Sequence, residues 1–339
     1  MSPTLQPVRI AVVGAGAIAQ VVHLPILSKM RGVNLAGLHD ADSAKAETIA
    51  GRFNIPIVYK ALEDLWKDES IDAIVVCTPS HLHEQQTSEA LEAGKYVLCE
   101  KPLALTGEGA ARVLESPGAD SRLMVGMNQR FRPDASALKT FVAGGELGDI
   151  FYLRAGWLNR RGGRGDRSWR QRKNVAGGGA LMDLGIQLLD LTLWLLDYPQ
   201  PESLVAHMHR QGGGEVEDSA VLLLQLAGDR IINLEVTWSL LGERDRQYLR
   251  LAGTAGSASL APFRVHKDLD SGLVDVTPTL APGTENQFTA SYRQELQHFV
   301  DTIRMGRDLD KPDEHITLMR LIQAAYQSVD ENSAIPLHN

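Results

Sequence analysis

The sequence predicts an α/β protein of two domains, the first built on a doubly wound parallel sheet and the second on a largely antiparallel, open sheet. Three observations predict it. Short apolar runs alternate with helical patterns through the first third of the chain, as in strands covered on both faces by helices. A glycine-rich turn follows the first apolar run and opens a helix. Beyond residue 150 apolar residues instead alternate with their neighbours, as in a sheet with one face on a core. The 339 residues are enough for two cores.

Taken in order, residues 8–13 (VRIAVV) are a β-branched apolar run and read as a buried strand. An apolar helical stretch follows the glycine turn. Asn34–Leu38 is the second expected strand and Asp42–Phe53 a helix. Ile71–Cys77 shows no polar alternation and is the third strand. Glu84–Ala93 is helical, with Gly94 as its stop. Tyr96–Cys99 and Leu123–Met127 complete the first sheet, which places the domains at residues 1–123 and 124–339. In the second domain Ile150–Trp157 is a strand, and Leu204, Ala206 and Met208 mark another. Val221–Leu226 and Ile231–Trp238 are joined by Ala227-Gly228-Asp229, a hairpin. Ile232, Leu234, Val236 and Trp238 share one face, leaving the opposite face for a partner subunit. Long helical patterns return at Tyr292–Met305 and Glu314–Asp330.

Composition narrows the function. The apolar fraction of 44% and charged fraction of 22% are those of an ordinary globular protein. A net charge of -8 argues against a nucleic-acid partner, which calls for a basic surface. There is no run long enough for a membrane span, and Met1–Pro7 lacks the pattern of a secretory signal. Cys77 and Cys99 lie in apolar strands and read as buried thiols. No cluster has metal-site spacing. The expected location is the cytoplasm.

Gly14-Ala15-Gly16-Ala17-Ile18-Ala19 has the form of a dinucleotide-binding turn, and the first domain reads as a Rossmann domain. Gly14 permits the tight turn, Gly16 the close approach of a pyrophosphate, and Ala19 the packing of helix on strand. Asp40 ends the second strand 21 residues after Ala19, where a carboxylate accepts hydrogen bonds from a ribose 2′-hydroxyl. Asp40-Ala41-Asp42 holds two acids and no adjacent arginine, which favours NAD over NADP. Thr78 and Pro79 follow the third strand at its carboxyl end, on the crevice side where a cofactor lies.

Further motifs carry a family resemblance. With GAGAIA, the segments TPSHLH (78–83), EAGKYVLCEKPLALT (92–106), GMNQRF (126–131), GELGDIFYLRAGW (145–157), GGGALMDLGIQLLD (177–190), EDSA, LAGTAGS (251–257) and ELQHFVDTIRMGR (295–307) resemble the glucose-fructose oxidoreductase / inositol dehydrogenase (Gfo/Idh/MocA) family over nearly the whole chain. The resemblance implies hydride transfer between nicotinamide and a sugar or polyol, and a C-terminal sheet that mediates a homodimer or homotetramer. It implies that Lys101 of Glu100-Lys101-Pro102 serves the reacting oxygen, as a charge stabiliser or proton relay. It places Glu100, Lys101 and His83 beside the cofactor, with His83 more structural than catalytic. Pro102 puts a cis Lys101–Pro102 bond among the expectations. His23 reads as a helix-packing residue.

Asp183, Gln187 and Asp190 recur at helical spacing on an otherwise apolar segment, a polar stripe that needs partners or a cleft. By resemblance Asp183 positions the substrate. Gln187 departs from the family pattern, which has His or sometimes Tyr there. A carboxamide donates and accepts hydrogen bonds but does not titrate near neutral pH. Its presence leaves three alternatives open: an enzyme in which Lys101, another group or water moves the proton, an enzyme with a tightly held, recycled cofactor, or a non-catalytic cofactor sensor. Arg130 and Trp169 are further candidate substrate contacts. Between Leu158 and Asn174 lie Arg160, Arg161, Arg164, Arg167, Arg170, Arg172 and Lys173 against the single acid Asp166. Solvation or pairing with neighbours is the first reading of this run, and recognition of an anionic sugar the second.

Overall fold

The computed structural model describes residues 6–161, 169–211, 214–270, 272–280 and 286–337. They fall into two compact units. The first runs to Asn128 and takes in a later stretch that contains the helix Gln287–Arg304 and ends at Ile316. The second begins at Gln129 and resumes at Thr317. The boundary expected at 123/124 therefore differs from the observed one. It cuts the last strand of the first sheet, which needs its backbone partners, and it misses a helix whose apolar face belongs to the first core.

The first unit holds a six-stranded, wholly parallel sheet in the order β3-β2-β1-β4-β5-β6. The strands are β1 (Val8–Val13), β2 (Val33–His39), β3 (Ile57–Tyr59), β4 (Ala73–Val76), β5 (Tyr96–Glu100) and β6 (Leu123–Gly126). The three-residue β3 is absent from the sequence reading, because a strand this short has no period to detect. Central β4 is buried throughout, and its AIVV sequence suits a position covered on both faces. The helix Ser43–Phe53 starts at Asp42, whose carboxylate accepts from the Lys45 N–H (3.0 Å), and stops at Asn54 in the left-handed region (φ 54°). Leu296, Phe299 and Val300 of Gln287–Arg304 join Val8, Ile10, Val12, Leu24 and Leu27 in one core, which explains why so late a helix belongs to this unit.

The second unit holds a nine-stranded sheet in the order β14-β13-β12-β11-β7-β10-β9-β8-β15. Its strands are β7 (Ile150–Arg160), β8 (Pro201–His209), β9 (Ser219–Leu226), β10 (Arg230–Leu240), β11 (Arg246–Gly253), β12 (Gly256–Leu260), β13 (Arg264–Leu269), β14 (Gly272–Asp275) and β15 (Ile335–Pro336). Every pair is antiparallel except β7 with β10. β9 and β10 form the expected hairpin, Leu226 opposite Arg230. Ile232, Leu234, Val236 and Trp238 are all buried, as their shared face requires. Their neighbours on the other face leave Val221, Leu223 and Ile231 exposed at 47%, 44% and 38%.

Candidate active site and dinucleotide site

In the first unit the glycine turn is fixed by close backbone contact. Gly14 has φ +97°, and a Cβ there would lie 2.8 Å from the carbonyl of Cys77, so only glycine fits between β1 and the end of β4. Gly16 differs: a Cβ on it would meet nothing nearer than the Cys77 oxygen at 3.9 Å. The turn is thus closed on its strand side and open at Gly16, which is the arrangement a pyrophosphate requires. Ala17 is exposed and Ile18 half-buried on the same open stretch. These residues fit a dinucleotide.

Asp40 stands directly after β2. Its carboxylate accepts from the Ala15 N–H (2.7 Å) and the Asp42 N–H (2.9 Å), and pairs with Lys45 Nζ (2.8 Å). Burial pushes the Asp40 carboxyl up, but the bonds from Lys45 and the two backbone donors outweigh it and hold it below its ordinary value. The charge at this corner is more balanced than the DAD sequence implies. Asp42 is spent on the helix cap, and Lys45, five residues after Asp40, escaped the sequence reading because its partnership depends on the side-chain rotamer.

The segment after β4 is tied to the segment after β5 by His83. Its Nδ1 lies 2.7 Å from the Pro102 oxygen and its Nε2 2.8 Å from the Thr78 oxygen. Burial depresses the ring's pKa, and a neutral ring donates from one nitrogen only, so one of the two carbonyls is served at a time. The Thr78 hydroxyl donates to Gln86 Oε1 (2.6 Å), and Pro79 is half-buried beside it. Glu100, at the end of β5, is buried and accepts from His23 Nε2 at 2.8 Å. Burial alone would raise the Glu100 carboxyl; the bond and charge of His23 outweigh that and lower it. His23 is therefore more than a packing residue: it holds the carboxylate next to Lys101. Lys101 is half-buried, and the Lys101–Pro102 bond is cis. Cys77 and Cys99 are free and buried, and burial pushes the Cys99 thiol up to about 12.

In the second unit, Gly177–Gly179 leads into a turn of π-helix (Leu181–Gly185) and then the helix Ile186–Leu195. The polar stripe read as one helical face divides by role. Asp183, half-buried, accepts from Trp238 Nε1 at 3.3 Å. Gln187, 6% exposed, donates from Nε2 to the main-chain oxygen of Asp183 (2.9 Å), a bond that leaves a second N–H and the Oε1 acceptor of the carboxamide. Asp190 is fully buried and takes Arg130 in a two-pronged pair, Nε to Oδ2 at 2.9 Å and Nη2 to Oδ1, with the Tyr198 hydroxyl on the same oxygen. That pairing gives Arg130, expected as a substrate contact, a structural partner as well. The Asp190 carboxylate neutralises its guanidinium, and the pair ties Arg130 to the helix. Trp169 is half-buried with the Arg170 guanidinium 4.3 Å from its ring centre. Within the arginine-rich stretch, Arg160 lies 3.8 Å from Asp245, and Lys173 N–H donates to Glu215. Arg164, Asp166 and Arg167 lie outside the described residues.

Residues 8–127 match the family model described as the oxidoreductase family, NAD-binding Rossmann fold, and residues 135–259 match the GFO/IDH/MocA C-terminal domain. The chain is 31% identical to an inositol 2-dehydrogenase of Paracoccus denitrificans, over 88% of this chain and 86% of that one. The chain belongs to the Gfo/Idh/MocA oxidoreductase family. It is an oxidoreductase with an NAD-binding Rossmann domain, and the curated relatives it matches are sugar and polyol dehydrogenases. A D-glucoside 3-dehydrogenase of Escherichia coli is 27% identical over 98% of this chain and 99% of that one. GenD2 from gentamicin A biosynthesis, solved in complex with NAD, superposes with a TM-score of 0.84 at 25% identity, covering 98% of this chain and 97% of that one. Levoglucosan dehydrogenase, at 21% identity and a TM-score of 0.86 over 98% and 100% of the two chains, shares the fold. No helix of the described residues is long and apolar enough to cross a membrane.

Proposed function

We propose that this protein oxidises a ring hydroxyl of a neutral cyclic polyol or pyranoside, with NAD as the preferred acceptor, in the cytoplasm. The observation that carries the reading is the pair of built sites: a glycine turn closed by Cys77 and opened at Gly16 with Asp40 beside it, and an Asp183–Gln187 pair held on a buried helix start. The similarity to inositol and glucoside dehydrogenases supports the substrate class. When bound, the dinucleotide supplies the hydride acceptor. The chain's own residues manage the oxygen and its proton. Lys101 takes the hydroxyl proton as an amine, or as an ammonium stabilises the alkoxide. Asp183 accepts a neighbouring hydroxyl and so fixes the ring. Gln187, its amide nitrogen given to Asp183, orients the reacting hydroxyl through Oε1. Thr78, Pro79, His83 and Glu100 line the cofactor side of the reaction. Trp169 serves as a stacking surface for the ring. The enzyme works as a homodimer or homotetramer through the uncovered face of the nine-stranded sheet.

The inositol and glucoside relatives named above are dehydrogenases, which weighs for an enzyme over the cofactor-sensing alternative raised by Gln187. Loss of a titrating residue at this position lowers the rate by about 10² to 10⁴ without abolishing it. The test follows NADH formation from NAD⁺ over a panel of myo-inositol, methyl D-glucopyranoside, levoglucosan, glucuronate and glucose 6-phosphate, with Gln187→His beside the wild type. The expected result is wild-type turnover on a neutral member and faster turnover by the variant. A preference for the anionic members would overturn the neutral assignment. Silence from both proteins across the panel, with NADH still bound, would overturn the substrate class.

A further inference from the structure

Glu217 is a buried carboxylate with no part in the reaction outlined above. It is 1% exposed, just before β9. Its Oε1 accepts from the Gly179 N–H (3.0 Å), the Leu181 N–H (2.9 Å) and the Tyr326 hydroxyl (3.0 Å), and Oε2 also faces the Gly179 N–H at 3.0 Å. Its main-chain oxygen accepts from the Ala180 N–H at 2.9 Å. The same contacts account for two of the three consecutive glycines, and a left-handed backbone accounts for the first. Gly177 has φ +79°. A Cβ on Gly178 would collide with the Tyr326 hydroxyl, and one on Gly179 with the Glu217 carbonyl. Gly179 in turn accepts from the Asp183 N–H (2.9 Å), and the Asp183 carbonyl accepts from Gln187 Nε2. One unbroken chain of hydrogen bonds therefore runs from Glu217 to both polar residues of the helix start.

A buried carboxylate is costly unless donors surround it. A glutamine of the same shape would be cheaper to bury, but its NH₂ would face the Gly179 N–H, donor against donor. A glutamine oxygen in the Oε1 place would keep the three donors there, so what distinguishes glutamate is the second acceptor at Oε2, 3.0 Å from the Gly179 N–H. We propose that Glu217, braced by Tyr326, is a positioning residue that clamps Gly177–Gly179 and so sets where Asp183 and Gln187 present their side chains. The inference rests on the substrate roles given above to Asp183 and Gln187.

The test uses the full-length Glu217→Gln and Tyr326→Phe variants, each a near-isosteric change. Three readouts are taken: NADH affinity by fluorescence titration, kcat and KM on myo-inositol and methyl D-glucopyranoside, and amide hydrogen exchange over residues 179–187. Both variants are expected to bind NADH as the wild type does, since the glycine turn and Asp40 lie in the other unit. Glu217→Gln is expected to lower kcat by about 10- to 100-fold with a smaller change in KM, as a misplaced orienting group does. Tyr326→Phe gives a weaker effect in the same direction. Exchange at 179–187 accelerates in both while that of β8–β10 stays as it was. Unchanged kcat and unchanged exchange in folded variants would overturn the proposal. Should the wild type turn over neither substrate, the substrate reading fails by itself, and wild-type exchange rates at 179–187 in both variants would still overturn the clamp.

Discussion

Asp40 shows how far a single residue can be read from sequence and where that stops. Its spacing from the glycine turn makes it the expected ribose contact, and the structure places it in hydrogen-bond contact with that turn through the Ala15 N–H. Its pairing with Lys45 is a rotamer-level fact that no spacing rule contains. The pair makes a prediction about cofactor choice. Asp40→Ala should weaken NADH binding by about tenfold or more, through loss of charge-assisted bonds to the ribose. Lys45→Ala should leave NADH binding within about threefold, because the ammonium is half-exposed, while sharpening discrimination against NADPH. Titration of both variants with both reduced cofactors checks this, and equal weakening of NADH and NADPH by Lys45→Ala would contradict it. Arg130 is the contrasting case. Sequence offers it as a substrate contact and is silent on its ion-pair partner Asp190, which lies 60 residues away and is recognised only once the fold brings the two together.

At the scale of elements, periodicity made the long strands and helices legible. Buried β4 and the β9–β10 hairpin follow directly from apolar pattern and turn residues. The missed strands were β3, the run β11–β14 and the two-residue β15, which are short or carry charged residues on an exposed face, such as Arg246 and Arg250 of β11. The junction between elements is where pH enters. His83 joins the ends of β4 and β5 as a buried ring whose pKa lies below its ordinary value. The unfolded chain then binds the proton more readily than the folded one, so stability is full above the ordinary histidine range and falls as pH drops through it. Relative to His83→Gln, the wild type should lose its advantage in thermal midpoint as pH is lowered from about 7.5 to 5.5. A gap that widens on acidification would reverse the sign and refute the buried neutral ring.

For the whole molecule, two sheets of opposite character carry separate duties. The parallel sheet is covered on both faces and ends in the dinucleotide turn. The antiparallel sheet is covered on one face, and Val221, Leu223 and Ile231 stand on the other. The alternation that reveals this one-sidedness is visible in the chain, but what covers the free face is not encoded in any local pattern, and the subunit contact proposed for it is open to test. Val221→Asp combined with Leu223→Asp should shift the assembly to monomers in light scattering while leaving NADH binding intact. An unchanged mass would move the subunit contact elsewhere. The division of the chain was equally hard to read, because the helix Gln287–Arg304 packs on β1 across a gap of more than 270 residues of sequence, and Leu296, Phe299, Val300 and Ile303 on its inner face are what betray it.

The central claim is hydride transfer from a ring carbon by an enzyme without a titrating group at position 187. Carbon-deuterated myo-inositol and methyl D-glucopyranoside, each incubated with NAD⁺ and the wild-type protein, test it most directly. The account predicts reduced cofactor carrying one deuterium at the nicotinamide ring, formed from at least one of the two, with Lys101→Ala slowing the transfer by about 10² or more. Reduced cofactor without deuterium, or no transfer from either compound while NADH binds normally, would contradict it.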